Sequence, residues 1–261
     1  MNNVNKTLYI PLYGKAYVSE RGLFLKDLQA EHIWKAEGFA LKGKAKSKWL
    51  AYYMGMRSAV FDQWTAKQLK ANPQAVVLHL GCGMDSRVLR VKNHGKAWFD
   101  VDFPAVIEER SRYFTQLDGY TMLPSDVQDL RWLEAVPRGG CGIVVMEGIS
   151  MYLQPEALKT LLQAIRSHFD CVQILMDSYT VFAAKASKYK NPINDVGVTQ
   201  VYGMDDPVVL EAAGLRFSGE MELTPEDMIQ QLKGLEQSIF RKVYAGSMAK
   251  KLYRLYEFIE A

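Results

Sequence analysis

Apolar residues first recur along this chain with a helical period and then gather into short unbroken runs. Trp49, Tyr53, Met56, Val60 and Trp64 follow one another at steps of four, three, four and four, which puts them on one helix face. The helical pattern of the front segment breaks at Asn72-Pro73. The run Ala75-Val76-Val77-Leu78-His79-Leu80 then predicts a buried strand that leads into Gly81-Cys82-Gly83. A second strand, Ala97 to Val101, ends at Asp102, and Pro104 suits the first turn of a helix reaching about Tyr113. A short strand over Tyr120 to Leu123 ends near Asp126. After the turn Gly139-Gly140 comes a strand over Gly142 to Met146, ending at Glu147. Gln154-Pro155 opens a helix with Leu158, Leu161, Leu162, Ile165 and Phe169 on one face, and Val172 to Met176 is the next strand. Residues 187–203 read as a long surface loop, Leu215 to Leu223 as an antiparallel edge strand, and Leu232 to Tyr256 as largely helical.

Strands alternating with helices argue for an α/β fold: a mainly parallel sheet with helices on both faces. Residues 1–72 are expected to form a helical cap within the same domain as a core over 73–261. Sheets of this kind take their ligands beyond the carboxyl ends of the strands, at the point where strand order reverses.

Composition narrows the class. Of 261 residues, 49% are hydrophobic and 23% charged, which excludes a disordered or fibrous chain. The longest run without Asp, Glu, Lys or Arg, Ala71 to Met84, has 14 residues, too few for a membrane span of about 18 to 20. The first residues lack a charged start followed by an apolar core, so no secretory signal is expected. Cys82, Cys141 and Cys171 are too few and scattered for a disulfide framework or a C-x-x-C metal site. The expectation is a reduced, cytoplasmic enzyme without a metal. Residues 1–72 carry a balance of +7 and the rest −4, so the front segment could attract an acidic ligand. Lys42, Lys44, Lys46 and Lys48 have no interleaved aromatics, which argues against nucleic acid.

The strand ends carry the candidate chemistry. Gly81 and Gly83 between a strand and a helix let backbone approach a ligand closely. Asp102 lies 21 residues after Gly81, where a carboxylate can accept from both hydroxyls of an adenosine ribose; the plainer alternative is a helix cap before Pro104. This pair fits a nicotinamide dinucleotide or S-adenosylmethionine. The third small residue of the dinucleotide fingerprint would be Ser86, an imperfect match. Asp85 would repel a pyrophosphate, whereas an acid-lined cleft with Asp126 and Glu147 suits the ammonium, sulfonium and adenine amine of S-adenosylmethionine. The carboxylate of that cofactor needs a cation, for which Arg57 is the candidate, with Lys15 as a second.

The run Val77-Leu78-His79-Leu80-Gly81-Cys82-Gly83-Met84-Asp85-Ser86-Arg87 resembles the LGxGxDtR motif of the leucine carboxyl methyltransferase family. That family also holds bacterial O-methyltransferases of polyketide-biosynthesis type. Val101-Asp102-Phe103-Pro104 resembles its vDxP motif, and Glu147-Gly148-Ile149-Ser150-Met151-Tyr152-Leu153 its EGvxxYL. The resemblance implies a class I methyltransferase fold and cofactor contacts at Lys15, Arg57, Gly81, Asp102, Asp126 and Glu147. Asp126-Val127 stands where the family has an Asp-Leu pair beside the adenine.

The leading expectation is therefore an S-adenosylmethionine-dependent O-methyltransferase that acts on a small or medium-sized acceptor, a carboxylate rather than a phenolic hydroxyl. The alternatives are a nicotinamide-dependent oxidoreductase and a non-catalytic S-adenosylmethionine-binding module. Tyr152, beyond a strand end, is the candidate nearest the acceptor. Tyr189, Asn191 and Asn194 in the 187–203 loop are the candidate acceptor contacts. His79, mid-strand, is expected to be a core histidine and not a base. Trp98 and Trp132 are expected to pack.

Overall fold

The computed structural model describes residues 8–38, 43–92, 95–187 and 200–261. Among them a sheet of seven strands runs in the order β3-β2-β1-β4-β5-β7-β6. The strands are β1 (Val76–Leu80), β2 (Ala97–Asp102), β3 (Tyr120–Pro124), β4 (Cys141–Met146), β5 (Cys171–Tyr179), β6 (Leu215–Met221) and β7 (Tyr253–Glu260). β1 to β5 pair in parallel, and β7 enters antiparallel between β5 and β6. The order reverses between β1 and β4, which places the ligand crevice at the ends of those strands.

Helices cover both faces. In the front segment these are α1 (Tyr9–Ser19), α2 (Leu28–Glu37) and α3 (Lys48–Ala71). Among the strands lie the single turn α4 (Arg87–Arg90), α5 (Pro104–Arg110), α6 (Pro155–His168) and α7 (Val181–Ser187). Between β6 and β7 come α8 (Glu226–Ile229), α9 (Gly234–Val243) and α10 (Ser247–Lys250). Alternate strand residues point to opposite faces. Val77, Trp98, Ile143, Val145 and Leu175 pack with Leu12, Met56, Phe61 and Trp64 of α1 and α3. Leu78, Leu80, Val144, Met146 and Ile174 pack with Leu158, Leu161, Leu162 and Ile165 of α6. Because both faces are covered, the central strands read as continuous apolar runs. No helix among the described residues is long and apolar enough to cross a membrane.

The structure departs from the sequence expectation in two places. The helical reading of Leu232 to Tyr256 fails at its end: Tyr253 begins β7, which packs Leu255 and Phe258 into opposite faces of the sheet. The amphipathic period of α9 ends at Val243, and only the short α10 lies between it and β7. The expectation of reduced cysteines fails for two of the three. Cys141 and Cys171 start neighbouring parallel strands in register and form a disulfide, while Cys82 stays free and buried. A separation of 30 residues concealed a pairing that only strand register brings about. By contrast, Leu215–Met221 is the antiparallel edge strand that was expected.

Candidate active site

A cleft with about 820 Å³ of empty space, part of it open to solvent, lies at the ends of β1 and β4. Its walls include Lys15 from α1, Arg57 from α3, Gly81 and Gly83 after β1, and Glu147 and Tyr152 after β4. Met54, Met151, Tyr179 and Tyr253 supply much of the remaining lining. Asp102, Asp126 and Val127 are not among its walls, although Asp102 adjoins it through a bond to Gly83.

The glycine turn is built by backbone geometry. Gly81 and Gly83 have φ of +66° and +50°, a region that side chains disfavour. Ile149 rests on Gly81 and Leu8 on Gly83, so a Cβ at either position would collide with them. The turn's N–H groups are already used. Those of Gly81 and Cys82 point to the Val101 carbonyl, and that of Gly83 donates to Asp102 Oδ2 at 2.8 Å. The Arg87 N–H at the start of α4 donates to Asp85 Oδ1 at 2.7 Å. A pyrophosphate would therefore meet engaged donors and a carboxylate, the reverse of a dinucleotide site. This geometry opposes the nicotinamide alternative.

Asp102 is not a helix cap. Its Oδ1 accepts from the adjacent Phe103 N–H at 2.8 Å, and the first turn of α5 receives no side-chain bond. Each oxygen keeps a second lone pair. Burial pushes its carboxyl up, against the pull of the Gly83 and Phe103 amides. Asp126, two residues beyond β3, accepts from Gln128 N–H at 2.9 Å in a tight turn. Val127 is buried beneath it, and its carbonyl accepts from Trp132 Nε1 at 3.1 Å, so Trp132 packs and also holds this turn.

Charge in the cleft is arranged differently from the acid lining that the sequence suggested. Asp85 is buried among cations: Lys15 Nζ at 2.6 Å, Arg90 at 3.0 Å and Arg87 at 3.7 Å. Burial works against its ionisation, but Arg90, Lys15 and Arg87 hold it well below the usual carboxylate range. Glu147 is likewise brought down to about 2, against burial, by Arg57 and Arg87. Arg57 lies 2.9 Å from Glu147 and 3.3 Å from Asp177. Arg90 also grips Asp27, at the N-terminus of α2, and Asp62 of α3, which ties the front helices to the glycine turn. His79 is a core residue, as expected. Its Nδ1 lies 3.1 Å from Asp100 Oδ1 and its Nε2 3.1 Å from Arg87 Nη1.

Residues 11–166 match the family model described as leucine carboxyl methyltransferase. The chain belongs to the leucine carboxyl methyltransferase family. It is 33% identical over 184 residues to the tetracenomycin polyketide synthesis O-methyltransferase TcmP of Streptomyces glaucescens, covering 69% of this chain and 68% of that one. It is 29% identical over 195 residues to the S-adenosyl-L-methionine-dependent methyltransferase dpfgK of Gibberella zeae, covering 68% of this chain and 65% of the relative. The chain thus spans about two thirds of the length of these relatives. In fold it resembles the magnesium protoporphyrin IX methyltransferase of Synechocystis PCC 6803, solved with S-adenosylhomocysteine, at a TM-score of 0.52 and 10% identity over 88% of this chain and 93% of that one.

Of the residues singled out from sequence, the cleft brings together Lys15, Arg57, Gly81, Gly83, Glu147 and Tyr152. Burial pushes the Tyr152 hydroxyl up. Tyr189, Asn191, Asn194 and Lys42 lie outside the described residues, and Lys48 is paired with Glu236 at 2.5 Å. Sequence reasoning missed Tyr253, Asp177, Asp62 and Arg90. Asp177 carried a signal of its own, as a carboxylate at the end of an apolar strand. Tyr253 carried none while its segment was read as helical.

Proposed function

We propose that the protein is an S-adenosylmethionine-dependent O-methyltransferase whose acceptor is a carboxylate on a small or medium-sized molecule, giving a methyl ester. Residues 1–72 act as a cap of the same domain as the 73–261 core. Family membership supports methyl transfer, and the name of the Streptomyces relative supports oxygen as the atom methylated.

The site suits that cofactor. Lys15 and Arg57 would receive its carboxylate, Glu147 its ammonium, Asp102 the ribose hydroxyls, and Asp126 and Val127 the adenine. Lys15 lines the cleft and gives one of its three N–H donors to Asp85. When bound, the cofactor supplies a methyl group activated on a sulfonium. The chain's own contribution is to place the acceptor oxygen in line and keep water out.

The observation that carries the choice of acceptor is that no carboxylate or histidine among the described residues lining the cleft is left unengaged. Among the described residues lining the cleft, Asp85 and Glu147 are bound by cations, and both His79 nitrogens are committed. A carboxylate is already ionised at neutral pH and needs no base, whereas a hydroxyl does. The test is to transfer labelled methyl to cell extract, isolate the small-molecule product and treat it with mild alkali. Release of labelled methanol is expected; label that stays on the product would mean an ether and a hydroxyl acceptor.

The cofactor assignment has its own check. Arg57→Ala should weaken S-adenosylhomocysteine at least about tenfold, the worth of one charged hydrogen bond. Methylthioadenosine, which lacks the carboxylate, should lose little. Calorimetry showing equal losses for the two ligands would make Arg57 a packing residue.

A further inference from the structure

We propose that Tyr253 and Asp177 are positioning residues for the amino-acid end of the cofactor, holding the Arg57–Glu147 pair in the orientation that receives it. The proposal rests on reading Arg57 as the group that takes the cofactor carboxylate.

A guanidinium has five N–H donors on a rigid plane. In Arg57, Nε donates to Glu147 Oε1 at 3.0 Å, and Nη2 lies 2.9 Å from the same oxygen. Nη1 donates to the Tyr253 hydroxyl at 2.9 Å and lies 3.3 Å from Asp177 Oδ2. The Tyr253 O–H in turn donates to Asp177 Oδ2 at 2.9 Å. The other Asp177 oxygen accepts the N–H of Gly148 at 2.7 Å, the residue next to Glu147. One carboxylate therefore fixes both members of the pair, Arg57 through Tyr253 and Glu147 through its neighbouring peptide.

Strand register makes this possible. Tyr179 of β5 faces Tyr253 of β7, and Asp177 lies two residues from Tyr179 on the same face. Tyr253 and Asp177 are thus diagonal cross-strand neighbours. The Tyr253 ring is held edge-on by Tyr53 at 6.2 Å and Tyr179 at 5.2 Å, and it lines the cleft. Asp177 is fully buried, and burial pushes its carboxyl up to about 6 despite Arg57. A buried ion pair can often be replaced as a whole by apolar groups at no cost in stability, so stability alone does not account for this one.

The test uses the whole chain and two probes, S-adenosylhomocysteine and methylthioadenosine, measured by calorimetry. Tyr253→Phe removes the hydroxyl but keeps the ring contacts. It should weaken S-adenosylhomocysteine about tenfold, one charged hydrogen bond, and leave methylthioadenosine within about twofold. Asp177→Asn keeps an acceptor for Gly148 and should show the same split. Equal losses for both probes, or no loss for either, would overturn the proposal. Two controls separate it from the reading beneath it. If Arg57→Ala shows no split, the assignment of Arg57 fails and this proposal with it. If the unaltered protein binds neither probe, the cofactor reading itself fails.

Discussion

Arg110→Ala is expected to cost about 3–5 kcal/mol of stability, the usual penalty for stranding one member of a buried ion pair. Arg110 is fully buried on α5. It pairs with Asp100 of β2 at 2.5 Å, reaches the Tyr120 hydroxyl of β3 at 3.2 Å, and lies over the Phe114 ring. Asp100 is itself fully buried, and it sits at about 2, against burial, because of Arg110 and then His79. Alanine would leave that carboxylate with His79, Trp98 and Tyr120 but without the guanidinium that offsets its burial. Thermal denaturation should show a fall of roughly 10 °C for a chain of this size. Arg110 also donates to the Gly83 carbonyl at 3.0 Å, so the damage reaches the glycine turn. The double variant Arg110→Met with Asp100→Asn should recover part of the loss. A single variant that melts within a degree or two of the parent would show that the pair is not needed.

Asp102→Ala is expected to weaken S-adenosylhomocysteine at least tenfold, since two charge-assisted bonds to the ribose are each worth about 1.5–3 kcal/mol. The fold should survive, because the carboxylate serves only two backbone amides, those of Gly83 and Phe103, and among the described residues is paired with no cation. Asp102→Asn should fall between the two, with one acceptor kept. Calorimetry decides: an affinity equal to that of the parent would reduce Asp102 to a brace for the glycine turn.

What the sequence disclosed depended on how local each feature was. β1 and β4 were legible as apolar runs because both faces of the central sheet are covered. The side of α3 that faces inward was legible from its period, with Met56, Val60 and Trp64 buried as expected. The places of Gly81 and Glu147 on the cleft were legible because each follows a strand at the crevice, whereas Asp102, the last residue of β2, lies outside its walls. Asp27, Asp62 and Arg90 were not, since their partnership spans 63 and 28 residues and has no periodicity. Nor was the committed state of Asp85. Its neighbours in sequence show the acid but not Lys15, which arrives from 70 residues away. Tyr253 was lost for a further reason: its strand follows an amphipathic helix, and the residue types at the junction suit either structure.

β7 has a consequence for the order in which the molecule can be made. It lies between β5 and β6, although both precede it in the chain. A growing chain can align β1 to β5 as soon as Tyr179 is free, but β6 then has no neighbour to dock against. The open side of β5 stays unpaired until residues 253–260 follow, and an unpaired strand edge invites association with other chains. The crevice is also unfinished in that interval, since Tyr253 comes in with the same strand. Synthesis of the last stretch of sheet therefore ends the period of greatest risk and completes the wall of the cleft in a single step.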